Sequence, residues 1–264
     1  MKAYTLITGA CINTGVAIVE KFASEGRNVV FTGRNAERVA AAQAAYRAKF
    51  PEVDIIGYVI DSLIDERTVD EAAVDAMFNE LDRLDIYAET LVLNAADQGL
   101  GITALENPLT DFMRVLNTNV VWNYCLCEHA VYRMREQGGG NIVFVNSNTA
   151  YRAIPDRIAY VASKGGQLGM MRAMALDFGK YNIRVNCIAP AAIQTEMVKE
   201  SNLSDPDFDN DFFLRQITPL GRWGKAKDIA ELACFLASDE ASYLNGVIIP
   251  ADGGITMNGN VNKM

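Results

Sequence analysis

The chain has 264 residues, 50% hydrophobic and 22% charged, with 20 glycines and 7 prolines; this excludes disordered, collagenous and low-complexity classes and leaves enough chain to bury a core without staples. Lys plus Arg number 24 against 33 Asp plus Glu, a formal charge of −9, which argues against nucleic acid and anionic membrane surfaces as partners. Five cysteines, at 11, 125, 127, 187 and 234, form no CxxC pair and read as small buried apolar residues in a reducing compartment.

Apolar runs of strand length alternate with helix-period segments throughout, the pattern of an α/β protein. The N-terminal residues lack the leader pattern of charged, apolar and small-residue regions, and no run approaches ~18 apolar residues. A cytoplasmic location is expected. The first strand, 3–8, runs into Thr8-Gly9-Ala10-Cys11-Ile12-Asn13-Thr14-Gly15 and a helix over 15–25. Glycine in such a turn lets backbone approach a pyrophosphate, whose charge exposed N–H groups and the helix dipole stabilise; an ordinary strand-to-helix connection reads the same way. The second strand, 28–33, ends at Thr32-Gly33-Arg34-Asn35 before a helix over 36–49. An acid at that place would hold ribose hydroxyls, whereas an arginine accepts a 2′-phosphate. Arg34 stands there, either as a phosphate ligand or as a solvated surface charge.

A third strand, 54–61, ends at Asp61, placed to accept from an adenine amino group. A helix over 65–84, a strand over 90–95 and a long helix over 110–136 follow. That long helix holds Asn119 and His129, the only histidine, whose apolar surroundings suit a structural role better than catalysis. A hydrolytic triad or a His-rich metal site would have to be built on it alone. The strand over 141–147 ends at Ser147, whose hydroxyl should project into the crevice beside the next helix, 158–180. On that helix Tyr160 and Lys164, four residues apart, share a face. A nearby ammonium favours phenolate, which makes Tyr160 a candidate proton donor or acceptor. A strand over 183–189, a long acidic and aromatic segment over 194–216, a helix over 227–238 and a strand over 246–250 complete the chain. Long excursions of this kind are lids, binding loops or passive insertions, and 194–216 is read as a substrate lid. Right-handed crossovers would wind these strands into one doubly wound parallel sheet with helices on both faces, in a single domain over 1–264.

The sequence resembles the short-chain dehydrogenase/reductase family over nearly its whole length. The resemblance rests on Thr8-Gly9 with Gly15, Asp61, Asn94-Ala95-Ala96, Asn119, Ser147, Tyr160-Val161-Ala162-Ser163-Lys164, Ile183-Arg184-Val185-Asn186 with Ala189-Pro190, and Ala251-Asp252-Gly253-Gly254. It implies a Rossmann-type sheet of seven strands, a nicotinamide cofactor and an Asn-Ser-Tyr-Lys tetrad. It also implies homotetramers or homodimers built on the helices flanking the serine strand, where Trp122, Tyr124 and Leu126 lie. By the same resemblance Tyr160 exchanges the alcohol proton, Ser147 steadies the substrate oxygen, and Lys164 holds ribose hydroxyls and depresses the tyrosine pKa. Asn119 holds a water linking that lysine to solvent. Gly9, Asn13, Thr14, Gly15, Asn94, Ala95, Pro190, Ile193 and Thr195 fall at cofactor-contacting positions, Ile193 through its backbone.

Three glycines of the family pattern are replaced, by Asn13, Ala96 and Ala191. Asparagine is the best substitute in a left-handed conformation, so Asn13 keeps the turn while crowding the pyrophosphate. Arg34 favours NADP(H) over NAD(H). The leading reading is hydride transfer between NADP(H) and a secondary alcohol or ketone on a small apolar cyclic substrate, steroid-like or polyketide-like. Met197, Leu203, Phe208, Phe212 and Phe213 of the lid would cover it, with Tyr151 and Ile154 on the facing loop. A 3-oxoacyl-thioester reductase is the alternative, for which Arg133, Arg135 and Arg152 are the available cations. A non-catalytic nucleotide sensor on the same fold is a further one.

Overall fold

A computed structural model describes residues 1–195, 214 and 217–257. Val, Ile and Leu runs form the strands β1 (Lys2–Ile7), β2 (Val29–Gly33), β3 (Ile55–Val59), β6 (Ile86–Leu93), β7 (Gly140–Val145), β8 (Ile183–Pro190) and β9 (Ile248–Ala251). All neighbours pair in parallel, in the order β3-β2-β1-β6-β7-β8-β9. Apolar side chains on both faces of such strands require helices above and below. On one face pack α3 (Glu71–Arg83), α5 (Trp122–Glu136) and α6 (Ile158–Phe178), burying Phe78, Leu126, Met171 and Phe144 together. The other face carries α1 (Asn13–Ser24), α2 (Ala36–Lys49) and a last helix α7 (Ala226–Leu236), around Ile18, Phe22, Phe31 and Ile229. The strand order reverses between β1 and β6, which opens a crevice at the carboxyl ends of the strands.

Helix starts follow local chemistry. Asn35 caps α2 by accepting from the Arg38 N–H at 2.9 Å, and Asp70 caps α3 by accepting from the Ala73 N–H at 2.9 Å. The strand expected over 90–95 runs Ile86–Leu93, and two further expected elements differ in kind. The helix expected from 65 starts at Glu71, because Leu63–Asp65 (β4) and Thr68–Val69 (β5) form a small antiparallel hairpin. Its turn is held by Asp65 Oδ1 accepting from the Arg67 N–H at 2.7 Å. The long helix over 110–136 is divided into α4 (Leu109–Leu116), a π-helical turn (Asn117–Val121) and α5. Such wide turns concentrate at functional sites, and this one holds Asn119. Among the described residues no helix is long and apolar enough to cross a membrane. Most of the expected lid, 196–213 with 215 and 216, lies outside the described residues.

Candidate active site

Two groups of residues meet in the crevice, and the first is the turn between β1 and α1. Gly9 has φ 65° and Asn13 φ 51°, both left-handed. Asparagine tolerates that region because its short polar side chain bonds locally, so the expected glycine is replaced without loss of the turn. Gly15 is packed so tightly that an added Cβ would lie 2.4 Å from the Gly9 oxygen and 2.6 Å from the Ala10 Cα. The Ile12 side chain makes no capping hydrogen bond to α1, and the positive end of the helix dipole at this turn favours an anion.

The turn is braced from three sides. Thr8 Oγ1 accepts from the Asn94 and Ala95 N–H groups at 3.0 Å each, and Asn94 Nδ2 donates back to the Thr8 and Gly9 carbonyls at 3.0 and 3.1 Å. Tyr46 donates its hydroxyl to the Ala10 carbonyl at 2.6 Å. Asn94 and Ala95 therefore act on the turn itself. Arg34 is exposed at the end of β2, with Asp61 exposed past β3. Arg38, which the sequence reading missed, lies near Cys11 of the turn and adds a second cation to this edge. Pro190 ends β8, and beyond it Ile193 bridges to Gly224, with the Gln194 N–H donating to the Gly224 carbonyl at 2.8 Å. That tie sets the course of the chain into Thr195. A nicotinamide dinucleotide fits this turn: a backbone too close for a Cβ at Gly15, a helix start whose dipole favours an anion, and cations at the far end.

The second group carries the reactive side chains. Ser147 follows β7 and opens a short 3₁₀ turn, Asn148–Ala150. Its Oγ accepts from Thr149 N–H at 3.2 Å and Thr149 Oγ1 at 3.0 Å. Both oxygen lone pairs are then filled, which leaves the serine proton to be donated outward. Burial pushes the Tyr160 phenol up from its ordinary value, while the neighbouring Ser147 hydroxyl and the Arg157 guanidinium pull it back. Lys164 Nζ donates to the Val145 carbonyl and to Gln167 Oε1 at 3.2 Å each, 5.5 Å from the Tyr160 ring centroid. Lys164 is 1% exposed, and burial brings its amine down to about 8.

Asn119 is fully buried. Its Oδ1 accepts from the Asp97 N–H at 2.7 Å, and its Nδ2 donates to the Asp97 carbonyl and to Ser163 Oγ at 2.8 and 2.9 Å. Asp97 in turn pairs with Arg114, which also holds buried Asp111 at 2.5 Å. The structure thus brings Asn119, Ser147, Tyr160 and Lys164 to one place. Thr149, Arg157, Asn146 and Gln167 belong to the same cluster and were missed. Arg157 stands three residues before Tyr160 and Gln167 three after Lys164, so helix spacing alone would have put both on the reactive face. His129 lies elsewhere, its Nε2 3.0 Å from Asp75 and its ring stacked on Phe78.

A family model described as enoyl-(acyl carrier protein) reductase matches residues 9–256. The chain is 34% identical to levodione reductase of Leifsonia aquatica, covering 94% of this chain and 92% of that protein. It is 30% identical to gluconate 5-dehydrogenase of Gluconobacter oxydans, over 97% and 95% of the two chains. It is also 30% identical to the 3-oxoacyl-[acyl-carrier-protein] reductase of Chlamydia trachomatis, over 95% and 96%. A crystal structure of levodione reductase superposes with a TM-score of 0.87 at 32% identity, over 96% of this chain and 99% of that one. With the crevice, the β1 to α1 turn and the Ser147, Tyr160 and Lys164 cluster, these likenesses establish that the chain belongs to the short-chain dehydrogenase/reductase family, as an NAD(P)-dependent oxidoreductase acting on alcohol and ketone groups.

Proposed function

We propose that the protein interconverts a secondary alcohol and a ketone with NADP(H) in preference to NAD(H), on a small apolar cyclic substrate, steroid-like or polyketide-like. The observation that carries this reading is the convergence of the Ser147 and Tyr160 side chains with buried Lys164, whose Nζ lies 5.5 Å from the Tyr160 ring centroid. Bound nicotinamide would supply or accept the hydride. Ser147, with both lone pairs occupied by Thr149, donates to the substrate oxygen and stabilises its developing charge. Tyr160 delivers the proton to that oxygen in reduction and removes it in oxidation. Lys164 keeps a positive charge beneath the site and offers an N–H to ribose hydroxyls, while Asn119 fixes the backbone of Asp97 at the crevice edge.

Gly9, Asn13, Thr14 and Gly15 would hold the pyrophosphate, Asp61 the adenine, and Pro190, Ile193 and Thr195 the nicotinamide end. Arg34 and Arg38 support the preference for a 2′-phosphate, since no carboxylate among the described residues is paired with either. Exposed Tyr151 and Ile154 next to Ser147 suit an apolar substrate face. The thioester alternative is favoured by the description of the matching family model. Against it, Arg133 is bound to both Asp82 oxygens and Arg152 to the Ile255 carbonyl; Arg135 lies over the Tyr132 and Tyr181 rings. All three cations that would meet an acidic carrier are engaged. The whole chain reads as one domain, and its five free cysteines fit the cytoplasm. Replacing Tyr160 by Phe is expected to lower ketone reduction by at least ~10²-fold while cofactor affinity stays unchanged. Unaltered turnover in a steady-state assay would remove Tyr160 from the reaction.

A further inference from the structure

Arg157 is the residue on which α6 starts, its carbonyl accepting from the Val161 N–H at 2.8 Å. It is half-buried, and its guanidinium packs on the loop that follows β6. Gly101 of that loop has φ 71°, and a Cβ there would collide with Arg157 Nη1 and lie 2.9 Å from Cζ. A bare glycine backbone thus makes the place for the guanidinium. Gly99, at φ 69°, seats the same loop on the helix start, where its own Cβ would lie 3.9 Å from the Ala159 Cβ. The cation therefore sits in the seam between the β6 loop and α6, at the carboxyl ends of the strands. It stands close enough to Tyr160 for its charge to act on the phenol.

The acids on this side of the crevice are already matched. Asp97 in the loop and Asp111 at the start of α4 are both held by Arg114, and among the described residues no carboxylate pairs with Arg157. A guanidinium stays charged at every working pH and presents its N–H donors as a planar fork. That fork meets a carboxylate with two parallel hydrogen bonds, and one cation balances one such anion. Three residues of helix span about 4.5 Å, so an anion on Arg157 would lie only a few bonds from a carbon whose oxygen is held by Tyr160.

We propose that Arg157 is a specificity-determining residue and that the substrate is a ketone, or the matching secondary alcohol, bearing one carboxylate a few bonds from the reacting carbon. Arg157 grips the carboxylate, while exposed Tyr151 and Ile154 face the apolar body. The proposal rests on the reading of Ser147 and Tyr160 given above and narrows its substrate class to an organic acid.

Reduction of 3-oxocyclohexanecarboxylate and of its methyl ester with NADPH tests this, because the pair shares a ring and a ketone and differs in charge. For the wild type, kcat/KM for the acid should exceed that for the ester by at least ~10-fold, chiefly through KM. In Arg157→Gln the ratio should fall to about one, and Arg157→Lys should keep part of it, since the charge remains without the fork. The ratio is the readout rather than either rate, because losing the charge beside Tyr160 acts on both substrates. A wild-type ratio near one, or a ratio unchanged in Arg157→Gln, would overturn the proposal and leave the alcohol and ketone chemistry standing. Calorimetric titration of the NADP⁺-loaded protein with the same two compounds separates the opposite failure. Binding of the acid that depends on Arg157, with no reduction of either compound, would keep the anion site and sink the functional reading; no binding of the acid would overturn the proposal. Melting temperatures check that the variants are folded, and Arg157→Lys stands in if Arg157→Gln is not.

Discussion

Lys164 concentrates the site's cost in one residue. Its amine stands at about 8 against an ordinary 10.5 because burial penalises the charged form. The folded value lies below the unfolded one, so between these pH values the unfolded chain binds the proton more tightly. Stability from this residue consequently rises as pH rises through that window, by about 3 kcal/mol in all. Lys164→Met should be more stable than the wild type near pH 7.5, and the difference should shrink by about 3 kcal/mol toward pH 10.5, measured by denaturant unfolding without cofactor. A difference that stays constant with pH would mean the lysine is solvated. Because Cys187 and Lys164 act on each other's titration, the comparison is made with Cys187→Ala in both proteins.

At the scale of elements, the β1 to α1 turn is the part with least freedom. Gly15→Ala places a Cβ against two backbone groups, the Gly9 oxygen and the Ala10 Cα, neither of which can swing away as a side chain would. We expect NADPH affinity to fall at least ~10-fold, equivalent to about 1.4 kcal/mol, with a lower melting temperature; retained affinity in a fluorescence titration would show that the turn is not the anion site. This turn was legible in the sequence because a strand, two glycines and a helix are local features. So was the pair Tyr160 and Lys164, since helix geometry alone sets four-residue spacing. The hairpin β4–β5 was hidden because Asp65, Glu66 and Arg67 carry charges that suit an exposed helix face as well as a turn. Division of the long helix at Asn117–Val121 depends on what Asn119 and Asn123 bond to across space, and no periodicity reports that. The same is true of Gln167, whose Nε2 donates to the Asn119 carbonyl on another helix.

For the whole molecule, the order β3-β2-β1-β6-β7-β8-β9 places every strand end that bears a site residue along one edge of the sheet. The helices α5 and α6 present an outer face with Tyr124 51% and Leu176 85% exposed, while Trp122 and Leu126 turn into the core. Large apolar groups left outward on two adjoining helices suit association between copies. The protein is expected to sediment as a dimer or tetramer of its 28.9 kDa chain. Tyr124→Asp combined with Leu176→Asp should shift it toward the monomer, and an unchanged sedimentation coefficient would assign the interface to another face.

Under the proposed function a turn carrying Asn13 in place of glycine still holds a dinucleotide, and the arginines beside it choose NADP(H). Fluorescence titration of the wild type and of Arg34→Ala, each with NADPH and with NADH, tests it without a substrate. NADPH is expected to bind more tightly than NADH by at least ~10-fold, or about 1.4 kcal/mol, with most of that preference lost in Arg34→Ala. Equal binding of the two cofactors, or binding of neither by the wild type, would contradict it.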